Sequence, residues 1–210
     1  MARKRIILAL AKGRIFNDTL VLLKRSGISI KKIDKKSREL IFELDGLTIL
    51  SCKPSDVPKY VELGAADCGI VGSDCITESQ CDIYEPLSLN FGHCRMIVAI
   101  KKNQKFEFKA GKEIKIATKY PNIASEYFKK KKMIPEIIYL NGSVELAPLI
   151  GLSDVIVDIT ETGETIRKNS LKIIDTIMNI SAKFIVNKTS YRILTKDIQS
   201  LSDSIKKNGL

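Results

Sequence analysis

Residues 155–165 read V-I-V-D-I-T-E-T-G-E-T, an apolar run that ends at Asp158 and passes into Thr162-Gly163-Glu164-Thr165. A short apolar run bounded by turn residues predicts a buried strand, and a glycine between hydroxyl residues lets backbone approach an anion closely. The Thr162 and Thr165 hydroxyls can donate to a phosphate, and the first amides of a following helix add partial positive charge. Asp158 and Glu161 would then accept hydrogen bonds from ribose hydroxyls. A plain strand-to-helix connection with a threonine cap fits the same letters, so the stretch alone leaves both readings open.

The same alternation continues outward. Residues 114–117 and 136–140 read as strands, with helices at 124–132 and 143–150. Nearer the start, 6–11 reads as a buried strand, Lys12-Gly13-Arg14 as a turn, and 16–25 as a helix with apolar Leu20, Leu22 and Leu23, stopped by Gly27. Segments 39–44 and 47–52 flank Asp45-Gly46, which predicts a type I′ hairpin. A helix begins at Ser55 or Asp56 and runs to Gly64, a strand follows at 68–71, and Gly72-Ser73-Asp74 opens another helical turn. Residues 84–89 lead to an apolar strand at 95–101, 182–186 is a late β-rich run, and 197–207 an amphipathic helix.

Strands alternating with helices define an α/β fold and predict mostly parallel sheet covered on both faces. With a crossing near 90–95 and the late strand and helix returning, 1–92 plus 180–210 forms one lobe. Residues 93–179 form the other and carry the 158–165 loop. A chain of 210 residues buries a sizeable core as one domain or two. The formal charge of +11 favours anionic partners, although surface lysines also follow from composition alone. Five cysteines without a C-x-x-C pair suggest neither a disulfide framework nor a zinc site, and fit a reducing cytoplasm. The basic start is too interrupted for a signal peptide, and no apolar run is long enough for a membrane helix. No nucleic-acid-binding motif with interleaved aromatics is present.

Five segments in order carry a specific resemblance: L-A-K-G-R (10–14), S-D-V-P-K-Y-V-E-L-G-A-A-D-C-G-I-V-G (55–72), I-A-T-K-Y-P-N (116–122), L-N-G-S-V-E-L-A-P-L-I-G-L-S-D (140–154) and D-I-T-E-T-G-E-T-I (158–166). Together they resemble ATP phosphoribosyltransferase over nearly the whole chain. The resemblance implies two α/β lobes like those of type II periplasmic binding proteins, with a cleft between them and magnesium carried by the substrates. It implies transfer of the phosphoribosyl group of phosphoribosyl pyrophosphate to N1 of the adenine of ATP. The little chain left after 181–187 leaves no room for the regulatory domain of long family members. A short form then implies a hetero-oligomer with a regulatory subunit resembling histidyl-tRNA synthetase.

By the same resemblance, Lys12, Arg14 and Arg38 stabilise the leaving pyrophosphate. Asp158, Glu161, Thr162, Gly163, Glu164 and Thr165 hold the phosphoribosyl group, and Gly13, Lys53, Asp74, Arg95 and Glu145 belong to the ATP site. No protein metal site is implied. Lys53 stands where the family pattern has arginine, and Ser73 where it has lysine, which bears on affinity more than identity. His93 reads as a loop residue and the cysteines as small core residues. Lys129 to Lys132 read as the wet end of a helix. A non-catalytic two-lobed protein binding anionic ligands is the alternative.

Overall fold

The computed structural model describes residues 5–31, 33 and 38–209. The basic residues before Arg5 and the Lys35-Lys36-Ser37 run next to Arg38 lie outside them. Two compact units form, Met1–Gly92 with Ser181–Leu210, and His93–Ile180.

In the first unit, β1 (Ile6–Ala11) leads to α1 (Arg14–Arg25), the hairpin β2 (Ile41–Leu44) and β3 (Leu47–Cys52), and a 3-10 turn at Pro54–Asp56. Then come α2 (Val57–Glu62), β4 (Cys68–Gly72), α3 (Ser73–Ser79) and β5 (Tyr84–Ser88). The sheet order is β2-β3-β1-β4-β11-β5, where β11 (Ala182–Val186) arrives from the end of the chain and is followed by α7 (Lys188–Ile193) and α8 (Thr195–Gly209). Alternation along β1 explains how both faces are covered. Leu8 and Leu10 pack with Leu20 and Leu23 of α1 and Ile198, Leu201 and Ile205 of α8, whereas Ala9 and Ala11 pack with Val57 and Val61 of α2. Small residues bring α2 close to the sheet. A Cβ on Gly69 would lie 2.9 Å from Val57 Cγ1 and 3.2 Å from the Ala9 carbonyl oxygen, so only glycine fits there without overpacking.

The second unit contains β6 (Cys94–Lys101), β7 (Glu113–Thr118), α4 (Pro121–Lys130), β8 (Ile134–Tyr139), α5 (Leu146–Leu149), β9 (Val155–Thr160), α6 (Glu164–Lys168) and β10 (Leu171–Ile180). Its sheet runs β10-β6-β9-β7-β8. Met96, Val98 and Ile100 face Ile123 and Phe128 of α4, while Ile97 and Ala99 face Val144, Ala147 of α5 and Ile166 of α6.

Several expectations change. The sheets are mixed rather than mostly parallel: β1 is parallel to β3 and β4, and β7 to β8 and β9, but β11 runs antiparallel to β4 and β5, and β6 to β9 and β10. The ten-residue β10 escaped the pattern because its register shifts between Ile173 and Asp175 and between Thr176 and Met178, and such bulges break a period of two. Gly46 has φ 77°, but Asp45 stays outside the left-handed region, so the hairpin turn is not type I′. The helix expected over 143–150 shrinks to Leu146–Leu149, because Ser143 itself is left-handed at φ 50° and Gly151 turns the chain at φ 80°. No side-chain cap from Ser55 or Asp56 starts α2; the Ser55 hydroxyl donates to Asp56 Oδ1 at 2.9 Å instead. Helix α7 was not expected at all; the Asn187 side chain caps it by accepting from the Thr189 and Ser190 amides. In the basic end of α4, Lys131 is not simply wet, since its Nζ lies 4.9 Å from the Phe108 ring centroid and 3.4 Å from Asp175.

Candidate active site

Parallel strands deliver their carboxyl ends, with the loops that follow, to one edge of a sheet. In the first unit, Ala11 is level with Cys52, and the Lys12 N–H donates to the Cys52 carbonyl at 2.8 Å. Lys12-Gly13-Arg14 and Lys53 therefore leave the sheet side by side. Gly13, at φ 97° and ψ −142°, turns the chain into α1 in a conformation that a Cβ would strain, and Arg14 is the first helical residue. The Leu40 carbonyl accepts from the Ser51 N–H at 2.7 Å, which brings the chain two residues after Arg38 to the same edge. Lys12, Arg14 and Lys53 are exposed there, and Arg38 is exposed as well. Asp74, after β4, is only 6% exposed in the first turn of α3.

Cys52 lies under this edge as a neutral thiol. Burial pushes its pKa up to about 11, Asp56 adds to the rise and Lys12 opposes it. Cys68 is fully buried with its pKa raised well above the ordinary value, again by burial. Neither has the character of a nucleophile. The other three cysteines are half-buried rather than core.

In the second unit the matching edge belongs to β7 and β9. Arg95, at the start of antiparallel β6, is level with Thr160, and Ile97 with Asp158. Side chains directly opposite share a face, so Arg95, Asp158 and Thr160 lie on the side covered by α5 and α6. A concave site of about 230 Å³ is lined there by Glu145, Asp158, Thr160, Glu161, Thr162 and Thr165. Gly163 makes the turn possible with φ 74° and ψ 11°.

The loop satisfies part of itself. The Gly163 N–H donates to Thr160 Oγ1 at 2.9 Å, and the Glu164 N–H to Thr162 Oγ1 at 3.3 Å. These two amides of the helix start are therefore occupied within the loop rather than open to an anion, and α6 has only five residues. Both hydroxyls keep their own protons for a ligand. Glu164 turns to Lys168 at 2.7 Å along the helix surface.

Burial raises the Asp158 pKa from 3.8 to about 6; the Ile159 N–H, donating to Oδ1 at 2.8 Å, and Lys119 oppose the rise, while Glu145 adds to it. Folding therefore takes up a proton between pH 3.8 and about 6, and stability falls as pH rises through that window. Asp158→Asn keeps an acceptor for the Ile159 N–H but has no charge to bury. It should unfold at higher urea concentration than the parent at pH 8, by at most about 3 kcal/mol, with the gap closing toward pH 4. Urea midpoints measured across that range check this; a gap that does not change with pH would contradict it.

The residues expected at the ATP site divide between the units. Gly13, Lys53 and Asp74 lie with Lys12 and Arg14, whereas Arg95 and Glu145 lie with the 158–165 loop. Sequence reasoning overlooked Thr160 and Lys119, although they lie in the 158–166 and 116–122 segments. His93 is an exposed residue. Among the described residues, no group of three or more His, Cys, Asp and Glu side chains is gathered to hold a metal, and no helix is long and apolar enough to cross a membrane.

Each unit is thus an α/β layer with its candidate residues at the carboxyl edge of its parallel strands, which places the chain in the class of α/β folds built from two sheet-containing units. The fold of the substrate-binding protein of an amino acid ABC transporter matches it with a TM-score of 0.56 over 97% of this chain and 92% of the other, at 15% identity. The chain belongs to the ATP phosphoribosyltransferase (HisG) family, whose sequence pattern matches residues 53–207. The ATP phosphoribosyltransferase of Caldanaerobacter subterraneus subsp. tengcongensis is 48% identical over 198 residues, covering 93% of each chain. A subunit of the ATP phosphoribosyl transferase (HisG:HisZ) complex from Thermotoga maritima superimposes with a TM-score of 0.85 at 35% identity, covering 96% of this chain and 97% of that one.

Proposed function

We propose that the chain transfers the phosphoribosyl group of phosphoribosyl pyrophosphate to N1 of the adenine of ATP and releases pyrophosphate, the first step of histidine biosynthesis. One observation carries this reading: a chain of this family presents D-I-T-E-T-G-E-T at the carboxyl end of β9, with that segment's three carboxylates and three threonine hydroxyls around one small concavity. Asp158 and Glu161 accept hydrogen bonds from the ribose hydroxyls, and Thr162, Gly163 and Thr165 surround the 5-phosphate.

Adenine N1 is already nucleophilic, so no residue need form a covalent bond or act as general base. Catalysis rests on placement and on stabilising charge as C1 becomes oxocarbenium-like and pyrophosphate departs. Lys12, Arg14 and Arg38 supply positive charge to the leaving group, and magnesium enters with the substrates. Gly13, Lys53, Asp74, Arg95 and Glu145 serve ATP, with the location of Arg95 and Glu145 favouring a place where the nucleotide meets the ribose. The reaction takes place in the cytoplasm.

We further infer a regulatory partner resembling histidyl-tRNA synthetase, in line with the HisG:HisZ complex of the Thermotoga maritima relative. Feedback by histidine needs a second site that biases the first, and the partner provides it. Mixing the chain with ATP, phosphoribosyl pyrophosphate and magnesium, with and without that subunit, should yield phosphoribosyl-ATP and pyrophosphate. Histidine should inhibit the complex and leave the isolated chain untouched. Ligand binding without product in the complete complex would favour a non-catalytic binding protein, and tight non-competitive inhibition of the isolated chain would place the regulatory site within it.

A further inference from the structure

We propose that Arg167 is a positioning residue that braces the phosphate loop from behind and sets the affinity for phosphoribosyl pyrophosphate without touching the substrate. This rests on the reading of 158–165 as the phosphoribosyl site. Two consecutive loop carbonyls end on this one residue: Thr162 O accepts from Arg167 Nη1 at 3.2 Å, and Gly163 O from the Arg167 backbone N–H at 3.1 Å. The peptide between them is the one whose N–H donates to Thr160 Oγ1. Both sides of the Thr162–Gly163 peptide are therefore held, one by Thr160 and the other by Arg167.

The guanidinium also covers the glycine. Its Nη1 lies 3.6 Å from the position a Gly163 Cβ would take, beside Ile173 Cδ1 at 3.5 Å, and Gly163 is buried despite its place in a surface loop. Among the described residues no carboxylate forms an ion pair with Arg167, because the neighbouring Glu164 is taken by Lys168. A cation without an acidic partner thus sits on a main-chain carbonyl of a loop whose concavity is lined by Glu145, Asp158, Glu161 and Glu164. Such a charge offsets part of the repulsion that a phosphate dianion meets there, and it holds the glycine peptide in the one orientation in which the loop surrounds an anion.

Steady-state kinetics and hydrogen–deuterium exchange on the full chain test this together. Arg167→Ala should raise KM for phosphoribosyl pyrophosphate about tenfold, with kcat and the KM for ATP within about threefold of the parent. Without any substrate, amides 161–165 should exchange faster in the variant while β7 and the first unit are unchanged. Arg167→Lys, which keeps a donor and a charge, should recover most of the affinity. A raised KM with unchanged exchange in the free protein would mean direct contact with the phosphate, and an unchanged KM would mean no role; either overturns the proposal. The double variant Thr162→Ala with Thr165→Ala serves as control. If it binds normally, the loop assignment itself fails. If it binds weakly while Arg167→Ala binds normally, only the brace fails.

Discussion

Arg14→Ala is expected to lower kcat by about 10²- to 10³-fold while changing KM for phosphoribosyl pyrophosphate by less than about threefold, the size seen when one preorganised charge-stabilising group is removed. Arg14 is the first residue of α1, held where the chain turns through Gly13 at the carboxyl end of β1. A guanidinium so placed can meet two pyrophosphate oxygens at once, and negative charge there grows as the bond to C1 breaks. The interaction is then stronger in the transition state than in the bound substrate, which is why turnover suffers more than binding. Arg14→Lys should recover only part of the loss, because a point charge replaces a planar fork. The exposed position predicts little effect on thermal unfolding. Initial rates over a grid of both substrates decide the matter, and an effect confined to KM would assign Arg14 to ground-state binding.

Thr162→Ala combined with Thr165→Ala should weaken phosphoribosyl pyrophosphate about 100-fold and leave the fold in place. Two hydroxyl donors are lost at about 1.5 kcal/mol each when the acceptor is a charged phosphate. Thr162 also accepts from the Glu164 N–H at 3.3 Å, so the loop loosens as well. Both threonines are exposed and outside the core, which predicts a circular dichroism spectrum and melting temperature close to the parent's. Calorimetric titration with phosphoribosyl pyrophosphate and magnesium measures the change. Parental affinity in a folded double variant would remove 158–165 from the site.

Strands β1, β3, β4, β7 and β9 were legible because each is a short apolar run stopped by a turn or a charge, a pattern that depends only on neighbours in the chain. The 155–165 stretch was legible for the same reason: strand, carboxylate, glycine and hydroxyls are contiguous, so their proximity needs no folding to establish it. Helix α8 announced itself by periodicity, with Ile198, Leu201 and Ile205 one or two turns apart. Where a bulge or a single left-handed residue intervened, as in β10 or at Ser143, local patterns failed; the shifts in β10 belong to its pairing with β6, a strand distant in the chain.

What the sequence determined by itself was therefore the α/β class, the separate strand-to-helix loop at 158–165 and the basic turn, and, through five ordered segments, the family. Tertiary structure alone decided which residues share an edge. Arg95 meets Thr160 only because β6 lies antiparallel to β9, and Glu145 reaches Asp158 only because Ser143 and the short α5 fold the 140–150 segment back onto that face. The raised pKa of Asp158 is a product of that assembly, since burial and a second carboxylate act across 13 positions of chain, from 145 to 158. Strand pairing and desolvation depend on which distant surfaces meet, and no local pattern of side chains encodes that.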